Sequence, residues 1–295
     1  MVIASATSWG LSGTAAQILF TSEHVHPIAL VDTRMTFAGL LLLLYGAGTR
    51  KKGLLDPWKT TSGRRQLMIF AIVGLLGVQY TYFAAIATGN AASATLLQYL
   101  GPSVVIGFTA IRSNRWPAPI QLIALSTALI GTFLLITNGS LGHLEIPLVS
   151  LTWGLLSALT LAFYTMYPVR LIKSYGSIAT VGWGLVIGGL TATLWSLPVN
   201  PGQFTYSLFP LVLIGFIVVF GTAIPFGLYL ASLHHLTPAE TSLSASAEPI
   251  SAAVAAVSIL HVHLGLLQIV GGAAIVAAVT LVARNQPTEV PMSLP

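Results

Sequence analysis

Residues 70–102 read FAIVGLLGVQYTYFAAIATGNAASATLLQYLGP, and residues 217–249 read IVVFGTAIPFGLYLASLHHLTPAETSLSASAEP. Laid one above the other, they pair Gly74 with Gly221, Tyr82 with Tyr229 and Pro102 with Pro249, each 147 residues apart. Gln121 and Gln268 keep the same offset with no gap between. Both copies sit among long apolar segments divided by short polar turns, the pattern of a membrane protein made of two related halves. Isolated identities in apolar sequence arise by chance, so their weight comes from agreement with the distribution of charge.

The chain has 295 residues, 6% charged and 55% hydrophobic. A soluble domain carries about 25% charged residues, so water is not the main solvent here. A formal net charge of +5 would suit nucleic acid, but the placement of Lys and Arg excludes that partner. With no cysteine, disulfides, iron–sulfur clusters and thiolate zinc sites are ruled out. The N-terminus is apolar from Val2 and lacks a basic leader, so the stretch through Phe20 reads as a first span rather than a removed signal.

A span needs roughly 20 apolar residues. Segments near 2–20, 27–47, 66–87, 91–111, 118–137, 147–169, 177–197, 209–233, 238–260 and 264–283 meet that need. The polar, Pro-rich residues 285–295 are expected to be a disordered tail. Ten crossings put Arg50, Lys51, Lys52, Lys59, Arg64, Arg65, Arg112, Arg115, Arg170, Lys173 and Arg284 on one side. The opposite loops, with Glu23, His24, His26, Asn138, His143 and Glu145, hold no Lys or Arg. That asymmetry places both termini in the cytoplasm. Only Arg34 lies inside a span.

Ten spans divide into five and five, residues 1–140 and 145–284. An odd-numbered unit inserts its second copy upside down, about a pseudo-two-fold axis in the membrane plane. Trp9-Gly10-Leu11 and Trp153-Gly154-Leu155 open the two halves. The expected fold is therefore an all-α integral membrane protein, with two inverted five-helix repeats around a central cavity.

Over nearly its whole length the chain resembles the drug/metabolite transporter superfamily, in its ten-span EamA-type branch. The features that carry the resemblance are Trp9-Gly10, Pro27 followed by Arg34, and Ala91-Ala92-Ser93-Ala94 leading to Pro102. Pro238-Ala239-Glu240 leading to Pro249 is the counterpart. Within the branch it looks most like the YddG-type exporters of aromatic amino acids. The resemblance implies a cavity walled by spans one, three, four, six, eight and nine, with five and ten as outer supports.

Charged groups inside a span are costly and are normally paired or functional. Arg34 has two readings: a contact to a substrate carboxylate, or a structural cation paired with an acid or snorkelling to the headgroups. Asp32, two residues away, points to a different helix face and does not simply pair with it. Glu248, beside Pro249 and the carbonyl that proline leaves free, takes up a proton, binds an ammonium group, or packs as a protonated acid. Glu240 reads as a first-turn acid facing the helix dipole.

A planar substrate needs ring faces and a few polar handles, which Tyr supplies. Tyr99, Tyr82, Tyr80, Trp9, Phe163 and Tyr164 are the aromatic candidates for substrate contact, with Gln79, Ser244 and Glu248 as polar ones. Trp58, Trp116 and Trp195 suit interfacial belts. Tyr82 and Tyr229 form a candidate pair of gates, against the plainer reading that each packs on a neighbouring span. Pro102 and Pro249 are candidate hinges at matching depth, amid small residues that allow close helix approach. The histidines fall in pairs at span ends without the three or four converging ligands zinc requires.

No metal, cofactor, nucleotide-binding loop or catalytic acid–base motif is expected. The expected partners are a small-molecule substrate and the lipid bilayer, with the chain a monomer or, through Gly271-Gly272, a homodimer. The leading function is a secondary carrier or facilitator in a bacterial inner membrane, exporting aromatic or other apolar amino acids. A broad exporter of drugs or cationic metabolites is the alternative, and a lipid-modifying membrane enzyme a more distant one. Phosphorylated cargo would call for several embedded basic groups, and there is one.

Overall fold

The computed structural model describes residues 1–49, 53–114, 116–140, 145–197, 207–225, 228 and 247–284. Every regular element among them is helical. In order they are α1 (Val2–Thr21), α2 (Pro27–Gly48), α3 (Asp56–Lys59) and α4 (Thr61–Thr88). Next come α5 (Ala91–Gln98), α6 (Gly101–Ser113), α7 (Pro119–Thr137), α8 (Leu148–Met166), α9 (Val169–Tyr175) and α10 (Ser177–Ser196). Last are α11 (Leu208–Ala223), α12 (Ala247–Leu260) and α13 (Leu266–Arg284).

Local chemistry sets the helix ends. Thr60 and Asn90 accept from the backbone N–H of Gly63 (3.0 Å) and Ser93 (2.8 Å), capping α4 and α5. Pro27 opens α2 at a position where its missing N–H costs nothing. Asn114 and Asn138, in the left-handed region (φ 49° and 48°), end α6 and α7. Inside the helices, hydroxyls return to their own backbone four residues back, as in Thr14 to Gly10 and Thr132 to Ala128. That habit lets Thr sit in hydrocarbon without an outside partner.

Among the described residues, six helical stretches are long and apolar enough to cross a membrane: α2, α4, Ala91–Arg112, α7, Leu148–Tyr175 and α10. Helix α1 has the length but not the hydropathy, because Ser5, Ser8, Ser12, Thr14 and Gln17 dilute it. It runs through the interior instead, against α4, α5, α11 and α12. Such a helix turns most of its surface to protein and tolerates polar side chains. The described parts of α11, α12 and α13 are apolar and shorter. Expected spans eight and nine pass through residues 229–246, outside the described residues, so the count of ten is an expectation there.

Two expected boundaries differ from the structure. The segment 91–111 is broken at Tyr99-Leu100, ahead of Pro102, whose ring lacks the N–H a continuous helix needs. The segment 147–169 ends at Met166, turns at Tyr167-Pro168, and continues as α9.

The main helix pairs are α2 with α10, α7 with α13, α4 with α8, and α1 with α12. At one end Trp183 donates to the carbonyl of Leu54 (2.8 Å), and Trp58 meets Trp183 edge-on at 5.3 Å. Trp58 is thus held by protein rather than standing in a belt. Tyr175 lies beside Thr60 there (3.3 Å), so the basic segments around Lys59–Arg65 and Arg170–Lys173 share an end. At the other end the Gln17 side chain accepts from the Ala91 N–H (2.7 Å), and Ser150 donates to the Ala85 carbonyl (2.9 Å).

The 147-residue offset recurs in local geometry. Gln121 reaches back to the N–H of Ala118 (3.0 Å), and Gln268 to that of Gly265 (2.9 Å), so each caps its own helix. Asn114 and His261 both adopt positive φ (49° and 52°). Helix α4 widens to a π-helix at Phe70–Leu76 around Gly74, and α11 at Val219–Ala223 around Gly221.

Helices α7 and α13 touch backbone to backbone. A Cβ on Gly131 would lie 2.6 Å from the Gly271 carbonyl, and one on Gly271 2.5 Å from the Gly131 carbonyl, whereas Gly215 has open space. Gly131→Ala should therefore cost about 1–3 kcal/mol by overpacking, and Gly215→Ala almost nothing. Thermal unfolding in detergent followed by size-exclusion fluorescence checks the difference.

Candidate functional site

Arg34, 5% exposed, sits well inside α2. Its Nε donates to Thr222 Oγ1 (2.6 Å) and its Nη2 to the Gly221 carbonyl (3.1 Å). The guanidinium carbon lies 4.9 Å from the Phe83 ring centre. Arg34 therefore does not snorkel, and among the described residues it bonds no carboxylate. Among the described residues the one ion pair is Lys59–Asp56 (2.7 Å), at the exposed basic end.

Arg34, Tyr82 and Glu248 converge from α2, α4 and α12 closely enough to act on one another's charge. Glu248 is half-buried, and its carboxylate makes no hydrogen bond to the described residues. An acid so placed, near a committed cation, can hold an amine or a proton.

Tyr82 is packed rather than loose. It is 7% exposed, and its hydroxyl pairs with Thr95 Oγ1 at 2.8 Å. Thr95 donates its own proton to the Ala91 carbonyl (2.7 Å), so Tyr82 is the donor in their bond. Gly13 makes room on α1: a Cβ there would stand 2.7 Å from the Tyr82 oxygen.

The other expected contacts scatter. Tyr80 meets Trp153 (5.4 Å) and Trp195 (4.7 Å) beside a lateral cavity of about 380 Å³ between α4, α8 and α10. Phe163 stacks on Tyr167 (4.8 Å), and Tyr164 on Phe70 (5.8 Å), both beside the widened turn of α4. Tyr99, at the α5–α6 break, belongs to a core cluster with Leu96, Ile106, Ala128 and Ile275. Gln79 is buried, and Trp9 is half-buried on α1. Pro102 marks the break, and Pro249 is buried in the first turn of α12. Tyr229, Ser244 and Glu240 lie outside the described residues.

Polar stitching between helices went unseen in the sequence. Gln98 Nε2 donates to Ser157 Oγ (2.6 Å), and Thr81 meets Thr160 (3.2 Å). With the Gln17 and Ser150 bonds, these hold the α4–α5 hairpin to α1 and α8. Nothing in Thr222, Ser157 or Thr95 distinguishes them from the many Ser and Thr that bond only their own helix.

The EamA-like transporter family matches residues 1–137 and again residues 148–284. The uncharacterized inner membrane transporter YicL of Salmonella typhimurium is 34% identical over 285 residues, 96% of this chain and 94% of its own length. The threonine/homoserine exporter RhtA of Escherichia coli K12 is 26% identical over 226 residues, covering 75% and 73%. One solved crystal structure superposes with a TM-score of 0.65 over 96% of both chains at 18% identity, a likeness of fold.

Tyr82→Phe removes one hydrogen bond and should cost about 0.5–1.5 kcal/mol, because Thr95 keeps its bond to Ala91. Thr95→Val strands the buried tyrosine hydroxyl and should cost more, about 1–3 kcal/mol. Paired melting curves of the two variants decide the order.

Proposed function

Since the chain belongs to the EamA-like transporter family, we propose that it is a secondary exporter of small neutral amino acids, working by alternating access. The carrying observation is Glu248: an acid within the bundle, coupled to Arg34 and unbonded by the described residues. In this reading it receives the substrate's ammonium group. The similarity to RhtA, a threonine/homoserine exporter, supports an amino-acid cargo.

Arg34 is engaged with α11 through two donors, so the substrate carboxylate is met chiefly by backbone and hydroxyl groups. The aromatic candidates described above are largely committed to ring–ring and core contacts. Aromatic amino acids therefore stand second to small neutral ones within the same class. A cationic-metabolite exporter is the second reading, because Glu248 would serve an amine lacking a carboxylate equally well.

The inverted doubling of residues 1–140 and 145–284 is part of the proposal. Support comes from the family's two matches and from helix caps, left-handed ends and widened turns recurring at one offset. Pairing supports it too: α1 lies on α12 as α8 lies on α5 and α6. The shared end of the basic segments and the transporter relatives support a bacterial inner membrane with cytoplasmic termini.

Counterflow in proteoliposomes with labelled threonine, homoserine, phenylalanine, tryptophan, a quaternary amine and a sugar phosphate tests the reading. Uptake of threonine and homoserine above the aromatic pair is the expected result. Movement of the amine alone would install the cationic reading instead. Glu248→Gln should lower amino-acid counterflow about tenfold or more, the loss of one charge-assisted contact.

A further inference from the structure

Helices α4 and α11 each widen into a π-helical turn around the repeated glycine, Gly74 in one and Gly221 in the other. Such turns break the regular ladder and are natural places for a helix to bend. Their surroundings differ. The turn of α4 is bordered by rings and methyls: Phe70 stacks on Tyr164, Gly74 faces Phe163, and Gly77 faces Thr160. Contacts of that kind are weak individually and lack direction. The turn of α11 is gripped by a cation. Arg34 donates to both the Gly221 carbonyl and Thr222 Oγ1, and Thr222 donates onward to the Ile217 carbonyl, five residues back (3.0 Å). Charge-assisted bonds of this kind are short, directional and strong in a dry interior. Helix α10, which packs along α2, carries no charged residue from Ser177 to Ser196.

We propose that Arg34 is a one-sided latch on the widened turn of α11, holding the bundle in the arrangement closed at the Gln17–Ala91 end. The inference rests on the carrier reading, because only a chain that alternates has a second arrangement to disfavour. Two bends of matching position would otherwise be balanced; a grip on one of them tilts the equilibrium toward the state that makes the grip. Arg34 is thus a positioning residue whose bonds are lost or remade when α11 changes shape.

The absence of cysteine allows a clean test. Ser93, 1% exposed on α5 near the Gln17–Ala91 bond, becomes the reporter as Ser93→Cys. Its reaction with a membrane-impermeant maleimide in proteoliposomes, without substrate, reads opening at that end. Arg34→Gln and Thr222→Val, each placed in the reporter background, should both raise the labelling rate, by about tenfold if the grip sets the balance. Arg34→Lys, which keeps the charge but not the two-pronged geometry, should fall between. Unchanged or slower labelling in a monodisperse Thr222→Val protein overturns the latch, and so does a lowered melting temperature with unchanged labelling. Thr222→Val keeps the side-chain shape and answers the question if Arg34→Gln does not fold. Wild-type counterflow, run separately, reports on the carrier reading itself.

Discussion

Hydrocarbon offers no hydrogen bonds, so every backbone amide and carbonyl in the bundle has to be satisfied by the chain itself. From this follow the helical form of the regular elements, the hydroxyls folded back onto their own turns, and the side chains that cap helix starts. It also explains where irregular backbone is found. The widened turn of α11 is served by Arg34 and Thr222, and the break at Tyr99-Leu100 falls where Pro102 cannot donate. Of these two departures from a straight helix, one is met by a specific partner and the other coincides with a missing donor.

Much of this architecture was legible in the amino acids, and the reason is physical. Length and apolarity are set by the bilayer, so α2, α4, α7 and α10 begin and end within a few residues of expectation. Gln121 and Gln268 stood out as a repeated pair, and their common role in capping α7 and α13 is local, needing only residues three positions apart. Gly74 and Gly221 stood out in the sequence as repeated identities, and the widened turns around them did not. Nothing in a glycine within an apolar run distinguishes a π-turn from a close contact.

The site was less legible, because its contacts join residues far apart in the chain. Arg34 meets Gly221 and Thr222 across 187 and 188 positions, and no spacing rule reaches so far. The sequence suggested an acid or a headgroup as its partner, whereas a carbonyl and a hydroxyl fill the role. Tyrosines chosen for their ring faces are similarly engaged: Tyr82 with Thr95, Tyr164 with Phe70. Single aromatic residues in a helical membrane protein serve packing as readily as recognition. Glu248, an acid to which the described residues give no side-chain hydrogen bond, is the more telling feature.

Gly131 and Gly271 lie with their backbones in contact, and neither contributes a side chain to hold the two helices apart at that crossing. Two rods joined without padding translate and turn together. The pair α7–α13 is therefore a stiff column, and in the carrier reading it is the stator against which the widened turns of α4 and α11 bend.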